Sequence, residues 1–448
     1  MTRSALRLAR IYACAVLLSL GAAAPAFAQT TLPAAVAADV NESYRLLAHT
    51  YYKPVEAQSL VDAARAALVD AAGKHRVKIT VDPIAASQGV DATLATLDQA
   101  IAEVAQEAHG TPTEYAYAAI NGMAKSIGDR YTVFMDPQEF RAFNDALDPE
   151  RISGIGVMVG QDASTKFITV SYVVPGTPAD RAGLLAGDEI TSVDGTSTKG
   201  ITTEAASKLL RGKAGTAVHL QYSRATETGR DLTIVRSEIQ PPTVVAKMLP
   251  DGIGYIYVIA FGKDTPEQFD GALARLHAQN ARALVIDLRN DGGGYVDSAL
   301  DMTSRFVAKR PLLTVEQRGV PDQTIQSSAS SVLNVPVTVL VNKYTASASE
   351  IMAGALQDDG IASLVGTRTF GKGVMQTLTP LADGSAIKIT TAHYLTPRKR
   401  DINLKGIDPD VSVDEPNNSR FGDVNDDAQL KAALQVLQKK IATVAEKP

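Results

Sequence analysis

The stretch VTVLVNKYTASASEIMAGALQD, residues 337–358, decides how this chain of 448 residues is read. It opens with an apolar run over 337–341 of the kind found in strands buried on both faces. A turn, Asn342-Lys343-Tyr344, follows, and beyond it Ile351, Ala355 and Leu356 continue at helical spacing. A second apolar run, 283–288, also leads into a turn and then a helical pattern. The two predict an α/β core from about residue 250 onward, with its functional loops where strands end and helices begin.

Both segments with chemical promise fall at such places. Small residues crowd 345–349, which leaves room for a substrate backbone to approach. Ser347 falls at or near a helix N-terminus, where the dipole and free N–H groups favour a developing negative charge. Serine and threonine are also ordinary N-caps, so this segment alone is equally served by Thr345, Ser347 or Ser349 capping a helix. The stretch FGKGVMQ, 370–376, sets Lys372 between two glycines in largely apolar surroundings. A lysine drawn inward there loses proton affinity, because burial disfavours its charged form, and a neutral amine can take a proton from serine. Taken by itself, the lysine is a solvated turn residue. The loop IDLRNDGGG, 286–294, supplies glycines whose backbone N–H groups a carbonyl oxygen can reach.

Ahead of this core, 31–144 is alanine-rich and helical, with Val36, Val40, Tyr44, Leu47 and Tyr51, and then Leu94, Leu97, Ile101 and Val104, at spacings of three and four. It reads as packing or dimerisation surface, with nothing chemical in it. Near Arg151 the pattern turns to short strands and glycine turns. Strands are expected at 167–174 and 189–193, a short helix at 179–182 stopped by Gly183, a helix at 203–210, and two further strands after 212–215. Successive N–H groups in the loop Gly154-Ile155-Gly156-Val157 can hold a free carboxylate, and the adjoining strand edge can add a peptide as an extra strand. The competing reading is a small β-rich domain that binds nothing.

The ends and the composition narrow the classes. Arg3, Arg7 and Arg10 precede an apolar run over 11–24 that closes on Ala26-Phe27-Ala28, the pattern of a signal peptide cleaved before Gln29. Cys14 is the only cysteine and lies in that segment, so a mature chain has neither disulfides nor a thiol nucleophile. A net charge of −5 without a long basic block removes the electrostatic case for nucleic acid. The six histidines are scattered with no HExxH, so no metal site is expected.

TASASEIMAGALQD (345–358) followed by FGKGVMQ (370–376) resembles the paired signature of the C-terminal processing, or tail-specific, peptidases. The resemblance implies Ser347 as nucleophile, Lys372, 25 residues later, as general base, and Gln376 as the residue that orients the lysine. It also implies an oxyanion hole from the N–H groups of Ala348 and Gly293, with the choice between Gly293 and Gly294 open. GIGV (154–157), PGTPADRAGLLAGDEITSVDG (175–195) and RGKAGT (211–216) resemble a PDZ domain of bacterial exported proteases. GDRYTVFMDPQEF (128–140) and YLTPRKRDINLKGIDPD (394–410) extend the match. Two departures stand out: a basic Pro397-Arg398-Lys399-Arg400 where the family has Pro-Ser-Gly-Arg, and a long stretch at 75–111.

The expected architecture is an α/β multidomain chain: signal peptide 1–28, helical region 29–150, inserted PDZ domain 151–240, a protease core of the ClpP/crotonase-like type at 241–415, and a linker and helix at 416–448. The last helix, capped by Asp426 or Asp427, places Leu430, Leu434, Leu437, Ile441 and Val444 on one face, which reads as a surface docked on its own domain or on a second subunit, with oligomer contact favoured over membrane binding. The expected function is that of a periplasmic serine endopeptidase, with membrane association left open, acting without cofactor on proteins or peptides with free C-termini. A homo-oligomer such as a dimer is expected, with room for an adaptor protein and no nucleic-acid partner. The alternative is a PDZ peptide-binding scaffold with an inactive protease-like core.

Overall fold

The computed structural model describes residues 31–224, 227–414 and 422–445. The expected signal peptide and the start of the expected C-terminal linker lie outside them. Helices Ala34–Thr50, Ala57–Lys74, Val90–Glu107 and Pro112–Ser126 pack around Val40, Tyr44, Leu47, Leu94, Leu97, Ile101 and Val104, the positions that carried the helical period. Their common core also takes in Phe134, Ile387 and Ile389. The helical region is therefore seated on a sheet, because strand Val133–Met135 pairs antiparallel with Ala386–Leu395, Val133 opposite Lys388. This pairing carries residues 128–132 to the start of strand Val374–Pro380, which borders Ala386–Leu395 as well.

The core is built on a six-stranded sheet in the order Val244–Leu249, Ile253–Val258, Ala283–Asp287, Val337–Val341, Ala362–Gly366 and Val411–Ser412. All its pairs but the first are parallel. Alternate residues serve opposite faces. Ile286, Val339 and Leu364 pack with helices Thr265–Ala278, Val296–Ser304 and Ala348–Asp358, whereas Val285, Leu340 and Val365 pack with helix Ala428–Ala445.

That terminal helix docks on its own domain, one of the two expected placements: Leu430 and Leu437 are buried and Leu434 and Ile441 half-buried against the chain's own sheet, while the Val444 side chain lies outside the described residues. Asp427 caps it, accepting from Leu430 N at 2.9 Å. Both carboxylate oxygens of Asp427 also meet the fully buried Arg289 guanidinium at 2.7 and 3.0 Å, and Arg289 binds Asp287 in turn. Among the described residues no helix is long and apolar enough to cross a membrane.

Between these parts lies a β-rich unit with the strand order Val157–Gln161, Ile168–Val173, Glu189–Val193, Ala217–Arg224 and Glu227–Val235. Helix Thr203–Leu210 closes its core with Leu210. Its entry strand Ile152–Gly154 pairs with its exit strand Ser237–Ile239.

Candidate active site

Strand Val337–Val341 is buried at every residue, and the turn after it is pinned to the glycine loop. Thr345 Oγ1 donates to Leu288 O at 2.8 Å, and Asn342 exchanges amide bonds with Asn290. Ala346 N and Ser349 Oγ both donate to the Asp291 carbonyl, at 3.0 and 3.1 Å. Ser347 is the N-cap of helix Ala348–Asp358, and its backbone stands at φ 59°, ψ −116°. A non-glycine residue held there costs about 1–3 kcal/mol, as at the sharp strand-to-helix turns that present nucleophilic serines.

One carboxylate joins the serine to the lysine. Glu350, fully buried, accepts from Ser347 N at 2.9 Å and from Lys372 N at 2.8 Å on the same oxygen. Its other oxygen accepts from Gly371 N at 2.8 Å and Thr369 Oγ1 at 2.5 Å. One phenol repeats the connection: the buried Tyr394 hydroxyl donates to Ser347 O at 3.2 Å and to Lys372 O at 2.9 Å. The two loops are thus fixed together through backbone groups.

The Lys372 side chain is half-buried, with Nζ 4.9 Å from the centre of the Tyr131 ring. Burial pulls its pKa down to about 8. The positive charges of Lys388 and Arg130 act the same way, against the pull of Asp129 and Glu350. Gln376 lies on strand Val374–Pro380 beside a bulge and donates Nε2 to Thr390 Oγ1 at 3.4 Å. Thr390 Oγ1 donates in turn to Asp129, so Gln376 joins a polar chain that ends on a carboxylate acting on Lys372, with no hydrogen bond of its own to the lysine.

Gly293 lies against the turn that carries Ser347, and any side chain there would collide. A Cβ would come within 2.7 Å of Ala346 O and 2.9 Å of Ala348 N, and φ is +98°. At Gly294 an added Cβ would instead lie 2.3 Å from the Phe261 carbonyl oxygen, so this glycine faces Phe261. The structure therefore brings Gly293 and Ala348 together, but the Gly293 N–H donates to Asp291 Oδ1 at 2.8 Å. Burial raises the Asp291 pKa to about 7, against the lowering effect of the hydrogen bond from the Gly293 N–H.

In the β-rich unit, Gly154, Ile155, Gly156 and Val157 form the link between strands Ile152–Gly154 and Val157–Gln161. With Leu210 and Arg211 they line a cavity of about 70 Å³. Val157–Gln161 is an outer strand of its sheet. At Gly156, φ is +90° and a Cβ would lie 2.2 Å from Thr177 Cβ, so glycine is required.

Glu350, Tyr394, Tyr131, Asp129 and Asp291 had no role in the sequence reading. Glu350 looks like any acid in a first helical turn, and Tyr131 lies in a region judged free of chemistry. The available signal was that each belongs to a segment already singled out, at 345–358, 394–410, 128–140 or 286–294.

The model of peptidase family S41 matches residues 252–413, and a PDZ-domain model matches 169–224. The carboxy-terminal processing protease CtpA of Bacillus subtilis (strain 168) is 33% identical over 335 residues, covering 73% of this chain and 71% of that protein. The chloroplastic carboxyl-terminal-processing peptidase 3 of Arabidopsis thaliana is 34% identical over 313 residues, 66% of this chain and 60% of the plant protein. Among solved structures, the photosystem II D1 C-terminal processing protease is similar over 90% of this chain and 98% of its own, at 26% identity and a TM-score of 0.46.

Proposed function

Since the chain belongs to peptidase family S41, the C-terminal processing serine peptidases, and carries a PDZ domain, we propose that it is an exported endopeptidase that captures unstructured C-terminal tails. The periplasm is its place of action and protein maturation or quality control its task, a reading supported by the signal-like N-terminus. The PDZ loop Gly154-Ile155-Gly156-Val157 holds the free carboxylate, and the outer strand Val157–Gln161 takes the tail as an added strand.

In the cut itself, Lys372 Nζ takes the Ser347 Oγ proton as Oγ bonds to the scissile carbonyl carbon. The electron pair moved onto oxygen is met by backbone N–H groups, that of Ala348 and that of Gly293 once it turns from Asp291. Collapse expels the amine, which takes the proton back from Lys372, and a water molecule then repeats the sequence to release the ester. Gln376 steadies the amine through Thr390 and Asp129. The observation that carries this reading is the double connection through Glu350 and Tyr394, which fixes the nucleophile's loop to the base's loop at four backbone groups.

The test is mass spectrometry of a tailed model protein incubated with the wild type, with Ser347→Ala and with Ser349→Ala. Cleavage should vanish in the first variant and persist in the second, and an amidated tail should be processed more slowly than a free one. Retained cleavage by folded Ser347→Ala would remove that residue as nucleophile.

A further inference from the structure

Tyr131 comes to the active site from the helical region, across a domain boundary, and its position is closely determined. Its N–H donates to Asp129 Oδ1 at 3.0 Å, while Thr132 Oγ1 donates to Asp129 Oδ2 at 2.9 Å, closing a tight turn. Strand Val133–Met135, immediately after, is pinned to Ala386–Leu395. Arg130 donates Nη2 to the Tyr131 hydroxyl at 2.7 Å, with its guanidinium 4.8 Å from the same ring centre and 5.0 Å from that of Phe370. The ring is thereby held as a half-buried wall whose face meets Lys372 Nζ.

We propose that Tyr131 is a positioning residue for the base: its ring covers the Lys372 amine, keeps water from it, and so preserves the neutral form that can accept the serine proton. The inference rests on the assignment of Lys372 as base. Two effects of the ring oppose each other. Its π face favours an ammonium by ~30-fold in proton affinity when the amine is desolvated. Loss of hydration disfavours the ammonium by up to several orders of magnitude, so shielding prevails. The charged groups around the amine are Lys388 on strand Ala386–Leu395, Asp129 and Arg130 on the turn, and Glu350 on helix Ala348–Asp358. Two are cations and two are anions, and the lysine still titrates low, with burial as the largest cause.

The experiment compares Tyr131→Phe and Tyr131→Ala in two readouts. One is the pH dependence of cleavage. The other is the titration of the Lys372 amine itself, followed by competitive pH-dependent labelling and peptide mass spectrometry in a Ser347→Ala background, where activity plays no part. Tyr131→Ala should move both curves to higher pH by about one unit, so that activity near neutrality falls about tenfold and recovers in alkali. Tyr131→Phe, which keeps the ring, should leave both curves in place. Should Tyr131→Ala not fold, Tyr131→Gln replaces it, keeping bulk while admitting water, with the same expectation. An amine that titrates unchanged without the ring overturns the proposal, as does a rate lowered equally at every pH, the mark of a structural role. A shift in Tyr131→Phe as large as in Tyr131→Ala also overturns it, by assigning the effect to the hydroxyl. Failure of the underlying assignment looks different: Lys372→Arg would then cleave, whatever the Tyr131 variants do.

Discussion

At the scale of single residues, the lysine carries the most direct prediction. A base that must be neutral works in proportion to its deprotonated fraction, so with a pKa of about 8 the rate should climb with pH and level off above about 9. At pH 6 about one hundredth of the plateau rate should remain, as initial rates between pH 6 and 10 would reveal. Lys372→Arg places a permanently protonated guanidinium at the same point and should lose activity by about 10³-fold or more while circular dichroism stays native. A flat pH profile, or an active arginine variant, would end the serine–lysine assignment. Ser347 and Lys372 could be singled out from the sequence as candidates because each lies in a compact local motif. Glu350 was printed in the same motif without betraying its role, since four donors from two separate loops converge on it only after folding. Tyr131 was hidden more deeply, as its meeting with Lys372 depends on strand pairing between distant parts of the chain.

Among elements, legibility followed burial. Strands Ala283–Asp287 and Val337–Val341 are covered on both faces, and apolar side chains at nearly every position announce that. Strand Val133–Met135 has three residues between helices, and what makes it a strand is its partner Ala386–Leu395 rather than a pattern of its own. The loop proposed to bind the tail, 154–157, is an element whose shape depends on one glycine. Gly156→Ala puts a methyl group into Thr177 and forces an L side chain to φ +90°, so the loop must move. Binding of a fluorescent peptide with a free C-terminus, read by anisotropy, should weaken by about tenfold or more, because the carboxylate loses aligned N–H donors. Labelling of Ser347 by a serine-directed phosphonate should persist, since the altered loop belongs to another sheet. Undiminished peptide affinity would show that the tail binds elsewhere.

Over the whole molecule, the terminal helix and the strand end that leads into the glycine loop share one buried ion cluster. Arg289 lies between Asp287 and Asp427 with its guanidinium out of water, and the next residues are the glycine loop against Ser347. Asp427→Ala removes one of the two carboxylates and leaves a buried cation undercompensated, which should cost about 3–5 kcal/mol in stability. The denaturation midpoint in guanidinium chloride should fall accordingly, and a midpoint equal to that of the wild type would show that the cluster contributes nothing. The same scale lends a meaning to the paired strands Ile152–Gly154 and Ser237–Ile239, by which the chain enters and leaves the PDZ unit side by side. Strand neighbours stand only about 5 Å apart, so a short turn could close the remaining chain across the gap. The PDZ unit is thus a cassette plugged into the core at one seam, and removing it leaves two chain ends already side by side.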